Sequence, residues 1–180
     1  MSIKHAILAL LDIDQGTGYD LMTRFNNSIG SFWSASHQQV YKELASLATE
    51  GWVEFDEVEQ AGKPSKKIYR VTPAGLDELK SWLQKPVKPL KVKYPFLIKI
   101  FAGDHLSKAQ LRQDIIQNSA EHRETLDAYT KLEQWILHLP EKEKKKYHLP
   151  YATMKLGMKV EQAWLEWSEE MLNDIPQERE

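Results

Sequence analysis

The chain has 180 residues, 42% hydrophobic and 28% charged, with a formal net charge of −2 and a pI near 6.3, which fits a soluble globular protein with room for one ordinary domain or two small ones. No apolar run is long enough to span a membrane, and Met1-Ser2-Ile3-Lys4-His5 lacks a signal-peptide layout. The absence of cysteine excludes disulfides, thiolate catalysis and cysteine-ligated zinc, and fits a cytoplasmic protein.

Ile3, Ala6, Ile7, Leu10 and Leu11 recur at helical spacing and predict a first helix. Gly16-Thr17-Gly18 is a loop, and a second helix near Tyr19 buries Leu21, Met22 and Phe25. Asn26 to Gly30 breaks it, and Phe32 and Trp33 anchor the following turn. Ser36 and Gln39 have capping-box spacing, so a third helix starts there. Its buried face is Val40, Leu44 and Leu47, and Gly51 ends it. The opposite face carries Gln38, Lys42, Ala45 and Thr49, flanked by Gln39 and Ser46. Such side chains read base edges or grip phosphate, and a small Ala45 permits close approach.

Val53 and Phe55 alternate with Glu54 and Asp56, and Tyr69 and Val71 with Ile68 and Arg70, which predicts a two-stranded ribbon. Gly62, Pro64 and Ser65 make its tip, and Lys63, Lys66, Lys67 and Arg70 are expected to crowd it. Thr72 caps a fourth helix with Pro73 at its first position, buried along Leu76, Leu79, Trp82 and Leu83. An amphipathic helix followed by a hairpin is common in mixed domains, and lysines at a turn are usually solvated. The order helix, helix, capped helix, basic hairpin, helix is the stronger signal, and it describes a winged helix-turn-helix over residues 1–85.

Three prolines between Pro86 and Pro95 mark a stiff linker. Residues 96–180 read as wholly helical, which makes the fold class mainly α. A short helix covers Phe96 to Ala102, and Ser107 caps a long one ending near Leu139. Leu111, Ile115, Asn118, His122, Thr125, Tyr129, Leu132, Ile136 and Leu139 keep coiled-coil spacing. Glu141 to Lys146 is expected to be a short exposed helix, and Pro150 to open the last one. That last helix has two apolar stripes, Met154, Met158 and Leu165, and Gly157, Val160, Trp164, Trp167 and Met171. Two stripes exceed what one partner helix covers, so a second subunit is expected. A self-contained monomeric bundle is the plainer alternative. The expected dimer contacts are Leu111, Ile115, His122, Tyr129, Val160, Trp164, Trp167 and Met171.

Six histidines fall in no tight ligand spacing, there is no G-x-S-x-G, and Gly16-Thr17-Gly18 lacks the third glycine of a phosphate loop. No catalytic residue, metal or cofactor is expected. Tyr129, Met154, Met158, Trp164 and Trp167 could line a site for a flat aromatic molecule, although aromatic stripes at helical spacing are more often core.

Three motifs carry a resemblance to the PadR family of bacterial transcriptional regulators. They are Gly18-Tyr19-Asp20-Leu21; Val40-Tyr41-Lys42-Glu43-Leu44 with Leu47 and Glu50-Gly51-Trp52-Val53; and Lys66-Lys67-Ile68-Tyr69-Arg70-Val71-Thr72-Pro73-Ala74-Gly75. Phe96-Leu97-Ile98-Lys99 after the linker resembles the longer subfamily that includes a virulence gene activator. The family often has Tyr-Pro where this chain has Tyr41-Lys42, so base contacts do not transfer directly. The resemblance implies a homodimer, clasped through its C-terminal helices, on a roughly palindromic site in double-stranded DNA. It further implies a repressor, in some relatives responsive to small aromatic ligands. On that reading Gln38 and Gln39 meet base edges, while Tyr19, Ser36, Tyr41 and Lys42 hold phosphates. Lys63, Lys66 and Lys67 reach the backbone or minor groove from the wing. The competing expectation, motivated by the acidic strand Glu54 to Glu59 and the low pI, is a winged-helix interaction module without DNA binding.

Overall fold

The computed structural model describes residues 3–31, 33, 35–60, 62–87 and 93–175, with only the backbone of Ser31, Gln60, Lys63 and Pro64. It divides into two compact units. One holds the described residues up to Val87 together with Leu139–Met154, and the other holds those from 93 to His138 and from Lys155 onward. Half of the expected linker at 86–95, residues 88–92, lies outside the described residues, and Pro95 already opens a helix.

The first unit opens with α1 (Ile3–Ile13), α2 (Gly18–Asn27) and α3 (His37–Thr49). α2 starts at a complete capping box: the Thr17 hydroxyl oxygen accepts from the Asp20 amide, and the Asp20 carboxylate accepts from the Thr17 amide. α3 has the same device, with Ser36 and Gln39. These side chains satisfy amides that have no partner inside the helix. Gly51, at φ 72°, then turns the chain through the left-handed region.

β1 (Val53–Gln60) pairs antiparallel with β2 (Lys63–Val71), Val53 opposite Val71 and Phe55 opposite Tyr69. The ribbon shifts register between Val58 and Gln60 and turns at Gly62, φ 71°. Gly16 bridges to Tyr69 by two backbone hydrogen bonds of 3.1 and 2.9 Å, so the loop before α2 is tied to the ribbon. α4 (Pro73–Leu83) follows with Thr72 as its cap.

The core of this unit is built from Ile7, Leu11, Leu21, Phe25, Val40, Leu44, Leu47, Val53, Tyr69 and Leu79. Trp33 packs against it as expected, and Phe32 lies outside the described residues. Leu83 corrects the expected α4 face, because it is 65% exposed. Trp82, stacked on His5 with centroids 4.7 Å apart, takes the last place against α1.

The second unit contains α5 (Pro95–Phe101), α6 (Lys108–His138) and the later part of α7 (Glu141–Asp174). Ser107 caps α6 by accepting from the Gln110 amide at 3.1 Å. Along the α6 seam Ile115, Tyr129 and Ile136 are buried. Arg112 donates to the carbonyls of Leu172 and Ile175 and so closes the end of α7. Pro150 does not open a new helix. It sits inside α7, which starts at Glu141. A proline removes one amide and crowds the carbonyl four residues earlier, but Lys146 is exposed, where water can meet that carbonyl. The expected short helix at 141–146 is therefore the first turn and a half of a longer one.

Candidate nucleic-acid interface

The capping box that starts α3 fixes which of its side chains face outward. Val40, Leu44 and Leu47 turn into the core, and Gln38, Lys42, Ala45 and Thr49 turn to solvent. Gln38 and Lys42 have no polar partner among the described residues. Gln39 is different. Its side-chain oxygen accepts from the Ser36 amide at 2.9 Å, and the Ser36 hydroxyl oxygen accepts from the Gln39 amide at 3.2 Å. The cap thus occupies the acceptor that Gln39 would need to read adenine bidentately. Gln38 is the glutamine left for that role.

Three elements meet beside this face. Tyr19, 69% exposed, stands in the first turn of α2, and Tyr41, 48% exposed, projects from α3 across Gly18. The ribbon comes in through the bridge between Gly16 and Tyr69. The Asp20 carboxyl is held below its ordinary range, chiefly by the Thr17 amide and then by the Thr17 hydroxyl, with Arg24 and Lys66 adding favourable charge. Lys66 is thus near enough for its charge to act on the start of α2.

The lysines expected at the wing tip are not equivalent. Lys66 is exposed and has no ion-pair partner among the described residues. Lys67 pairs with Glu57 at 3.4 Å and lies over the Phe55 ring at 4.1 Å. The Lys63 side chain lies outside the described residues. Arg70 is not at the tip. It sits opposite Glu54, near the base of the ribbon, where it bonds the carboxylates of Glu54, at 2.8 Å, and Asp56. Those two bonds stabilise its charged form. The alternation of Glu54 and Asp56 on one ribbon face is the sequence signal for this pairing, and residue spacing alone does not say which cation answers it.

In the second unit Ile115 and Tyr129 are buried within the chain, at 0% and 3% exposure. Leu111, His122, Trp164, Trp167 and Met171 are part-buried and Val160 is exposed. His122 stacks flat on Trp164 at 4.8 Å and bonds the buried Glu161 carboxylate. Trp164 in turn meets Tyr94, Phe96 and Trp167. An open trough of about 320 Å³ is lined by Leu97, Val160, Ala163, Trp164 and Trp167. Of the expected ligand set, it gathers Trp164 and Trp167. Met158 lines a separate groove with Leu126 and Glu166, and Tyr129 and Met154 are buried.

Among the described residues no cluster of histidine and carboxylates could hold a metal ion, and no helix is long and apolar enough to cross a membrane.

Comparison with known proteins gives this arrangement its context. Residues 7–81 match the transcriptional regulator PadR-like family, and residues 92–175 match the virulence activator alpha C-terminal family. The negative transcriptional regulator PadR of Bacillus subtilis is 37% identical over 124 residues, which cover 68% of this chain and 67% of that one. The crystal structure of Bacillus subtilis PadR in complex with operator DNA superposes with a TM-score of 0.77 at 28% identity, over 97% of this chain and 99% of that one. Its complex with p-coumaric acid gives 0.71 at 26%, over 98% and 96%. The chain belongs to the PadR-like family of transcriptional regulators.

Proposed function

We propose that this regulator binds double-stranded DNA sequence-specifically as a homodimer, represses transcription from a roughly palindromic operator, and is released by a small aromatic or phenolic ligand. It acts in the cytoplasm and catalyses no reaction. Residues 1–85 form the DNA-binding domain, 86–95 a linker and 96–180 the dimerisation domain. The observation that carries the reading is the outward face of α3. Gln38, Lys42 and Ala45 stand exposed on it, beside Tyr41, a polar surface with few partners of its own among the described residues. In a dimer, two such faces address half-sites about one helical turn apart. The relatives solved with operator DNA and with p-coumaric acid support both halves of the proposal.

Dimerisation has a physical motive in the second unit. Leu97, Ile98, Phe101, Ile116, Leu156 and Val160 are all exposed, Phe101 at 95%. Apolar surface of this kind calls for cover. The trough at Trp164 and Trp167 is where an aromatic effector would be read by fluorescence.

The test is fluorescence anisotropy with a labelled duplex selected by the protein from a random-sequence pool. Lys66→Ala should weaken binding to every bound sequence and reduce the salt slope by about 0.9 for each phosphate that the lysine neutralises. An unchanged slope removes the wing from the interface. p-Coumaric acid should quench tryptophan emission and dissociate the duplex. The second reading, an interaction module without DNA binding, draws on the pairing of Arg70 and Lys67 with β1 carboxylates. Failure to enrich any duplex at low salt would favour it.

A further inference from the structure

Gly18 is a glycine that its own backbone does not require. It is the first residue of α2, and the positive-φ glycines among the described residues are Gly51 and Gly62. At a helical position alanine is the intrinsically better residue. A different reason is visible in space. A Cβ placed on Gly18 would lie 2.8 Å from Cζ and 3.0 Å from the hydroxyl oxygen of Tyr41, and closer still to Cε1. The Tyr41 ring therefore rests directly on the α2 backbone, although the residue as a whole is 48% exposed.

That position is a junction. Gly16, two residues before Gly18, is tied to Tyr69 of β2 by two backbone hydrogen bonds. Burial pushes the Tyr69 phenol above its ordinary range, and Lys67, Tyr41 and Glu57 all lie close enough to act on it. The start of α2, the outward face of α3 and the wing thus converge on Tyr41.

We propose that Gly18 is a positioning residue for DNA recognition: by lacking a Cβ it seats the Tyr41 ring against α2 and so aims the Tyr41 hydroxyl at a DNA phosphate beside Tyr19. The proposal rests on the DNA-binding reading above. A seated phenol offers a neutral donor with little freedom left to lose, which suits an interface whose cations are few. Alanine at 18 would not disturb the core, because the atoms it meets belong to the end of an exposed side chain that can swing away. It would displace the ring and with it the hydroxyl.

The experiment is a double-mutant cycle on the full chain, using Gly18→Ala, Tyr41→Phe and the pair. The probe is a duplex selected by the wild-type protein from a random pool. Binding is followed over a salt series and thermal unfolding is measured in parallel. Gly18→Ala and Tyr41→Phe should each weaken binding about tenfold, the effect of losing a hydrogen bond to a charged acceptor. The double variant should bind no worse than Tyr41→Phe alone, since there is then no hydroxyl to misplace. The salt slope should stay constant, because a phenol releases no counterion, and the melting midpoint of Gly18→Ala should not fall. Wild-type affinity for Gly18→Ala or for Tyr41→Phe overturns the proposal. So does a further loss in the double variant, or a weakening that tracks a lowered melting midpoint. A wild-type chain that enriches no duplex overturns this proposal and the DNA-binding reading together, whereas a good duplex with an additive cycle overturns this one alone.

Discussion

Gly75→Ala should be the most damaging single-methyl change in the winged unit. Gly75 is buried in the first turn of α4, where its amide donates to the Thr72 hydroxyl at 3.1 Å. The Thr72 hydroxyl donates to the Gly51 carbonyl at 2.7 Å, and the Thr72 amide donates to the Trp52 carbonyl at 3.0 Å. One threonine therefore joins the end of α3, the start of β1 and the start of α4. A Cβ on Gly75 would lie 2.9 Å from the Trp52 carbonyl carbon and 3.0 Å from Val71 Cγ2, with the Trp52 oxygen nearer still. Ordinary contact needs about 3.5 Å or more, and the obstacle is backbone that cannot swing aside. Overpacking of this kind costs about 1–3 kcal/mol, and loss of the bond from Thr72 to Trp52 about 1 kcal/mol more. The better helix propensity of alanine returns about 0.5–1 kcal/mol. The net is about 1–3.5 kcal/mol, centred near 2, or a drop of roughly 4–8 °C in Tm at that centre for a chain of this size. Circular dichroism melting measures the midpoint, and amide exchange at Thr72 localises the damage. A midpoint within about 2 °C of wild type, with the Thr72 amide still protected, would refute the close approach on which this depends.

Three other perturbations probe separate supports. Ser36→Ala removes the cap of α3 and should cost about 1 kcal/mol in urea unfolding; an unchanged midpoint would mean that the capping box contributes nothing. Asp20 has a folded pKa below its ordinary 3.8, chiefly through the Thr17 amide, so its contribution is complete above that value and is lost as pH falls through the lower folded pKa. Asp20→Asn should accordingly lose less stability than wild type on acidification, measured as Tm from neutral pH to below pH 4, and parallel acid limbs would contradict the assignment. Arg112→Ala leaves the Leu172 and Ile175 carbonyls without their donor and should cost about 1–2 kcal/mol, with faster exchange confined to the last turn of α7. Uniformly faster exchange throughout the second unit would show a wider role for Arg112.

The parts legible in the sequence are those fixed by neighbours along the chain. A cap needs residues three apart, so Ser36 with Gln39 and Thr72 before Pro73 locate two helix starts. The buried faces of α3 and of the ribbon follow from periods of 3.6 and 2. What is not legible depends on partners far away in sequence. Arg70 lies near the tip lysines in the chain, yet a strand extends about 3.3 Å per residue and carries it to the base, beside Glu54 and Asp56. Gln39 belongs to both the cap and the reading face, and only the geometry shows which use holds its oxygen. Pro150 reads as a helix start because proline favours that position, but in an exposed stretch a helix tolerates one missing amide. The seating of Tyr41 on Gly18 joins α3 to α2, and no local pattern announces it.

The distribution of charge in the winged unit explains how a near-neutral chain can still address DNA. Several of its cations already have carboxylate or carbonyl partners: Lys4 with Glu50, Arg24 with the Asp14 and Gln15 carbonyls, Lys67 with Glu57 and Arg70 with Glu54 and Asp56. Lys42, on the outward face of α3, and Lys66, on the wing, stand without one among the described residues. Counted over the described residues, two such cations per protomer make four in a dimer, for which counterion release gives a salt slope of about −3.6. Affinity would then fall only about 150-fold between 50 and 200 mM salt, a shallow response for a DNA-binding protein. On the interface proposed above, the remaining affinity would come from neutral donors, namely Tyr19, Tyr41, Gln38 and the Ser36 hydroxyl. Such donors act only when they are rigidly placed, because an ill-aimed neutral hydrogen bond contributes little while a misplaced cation still attracts phosphate. On that proposal the capping boxes at Thr17 and Ser36 and the glycine beneath Tyr41 would serve binding as well as folding. A measured slope near −3.6 would support that division of labour. A slope steeper than about −7 would mean that the ion pairs of the ribbon open on binding and give their cations to the DNA.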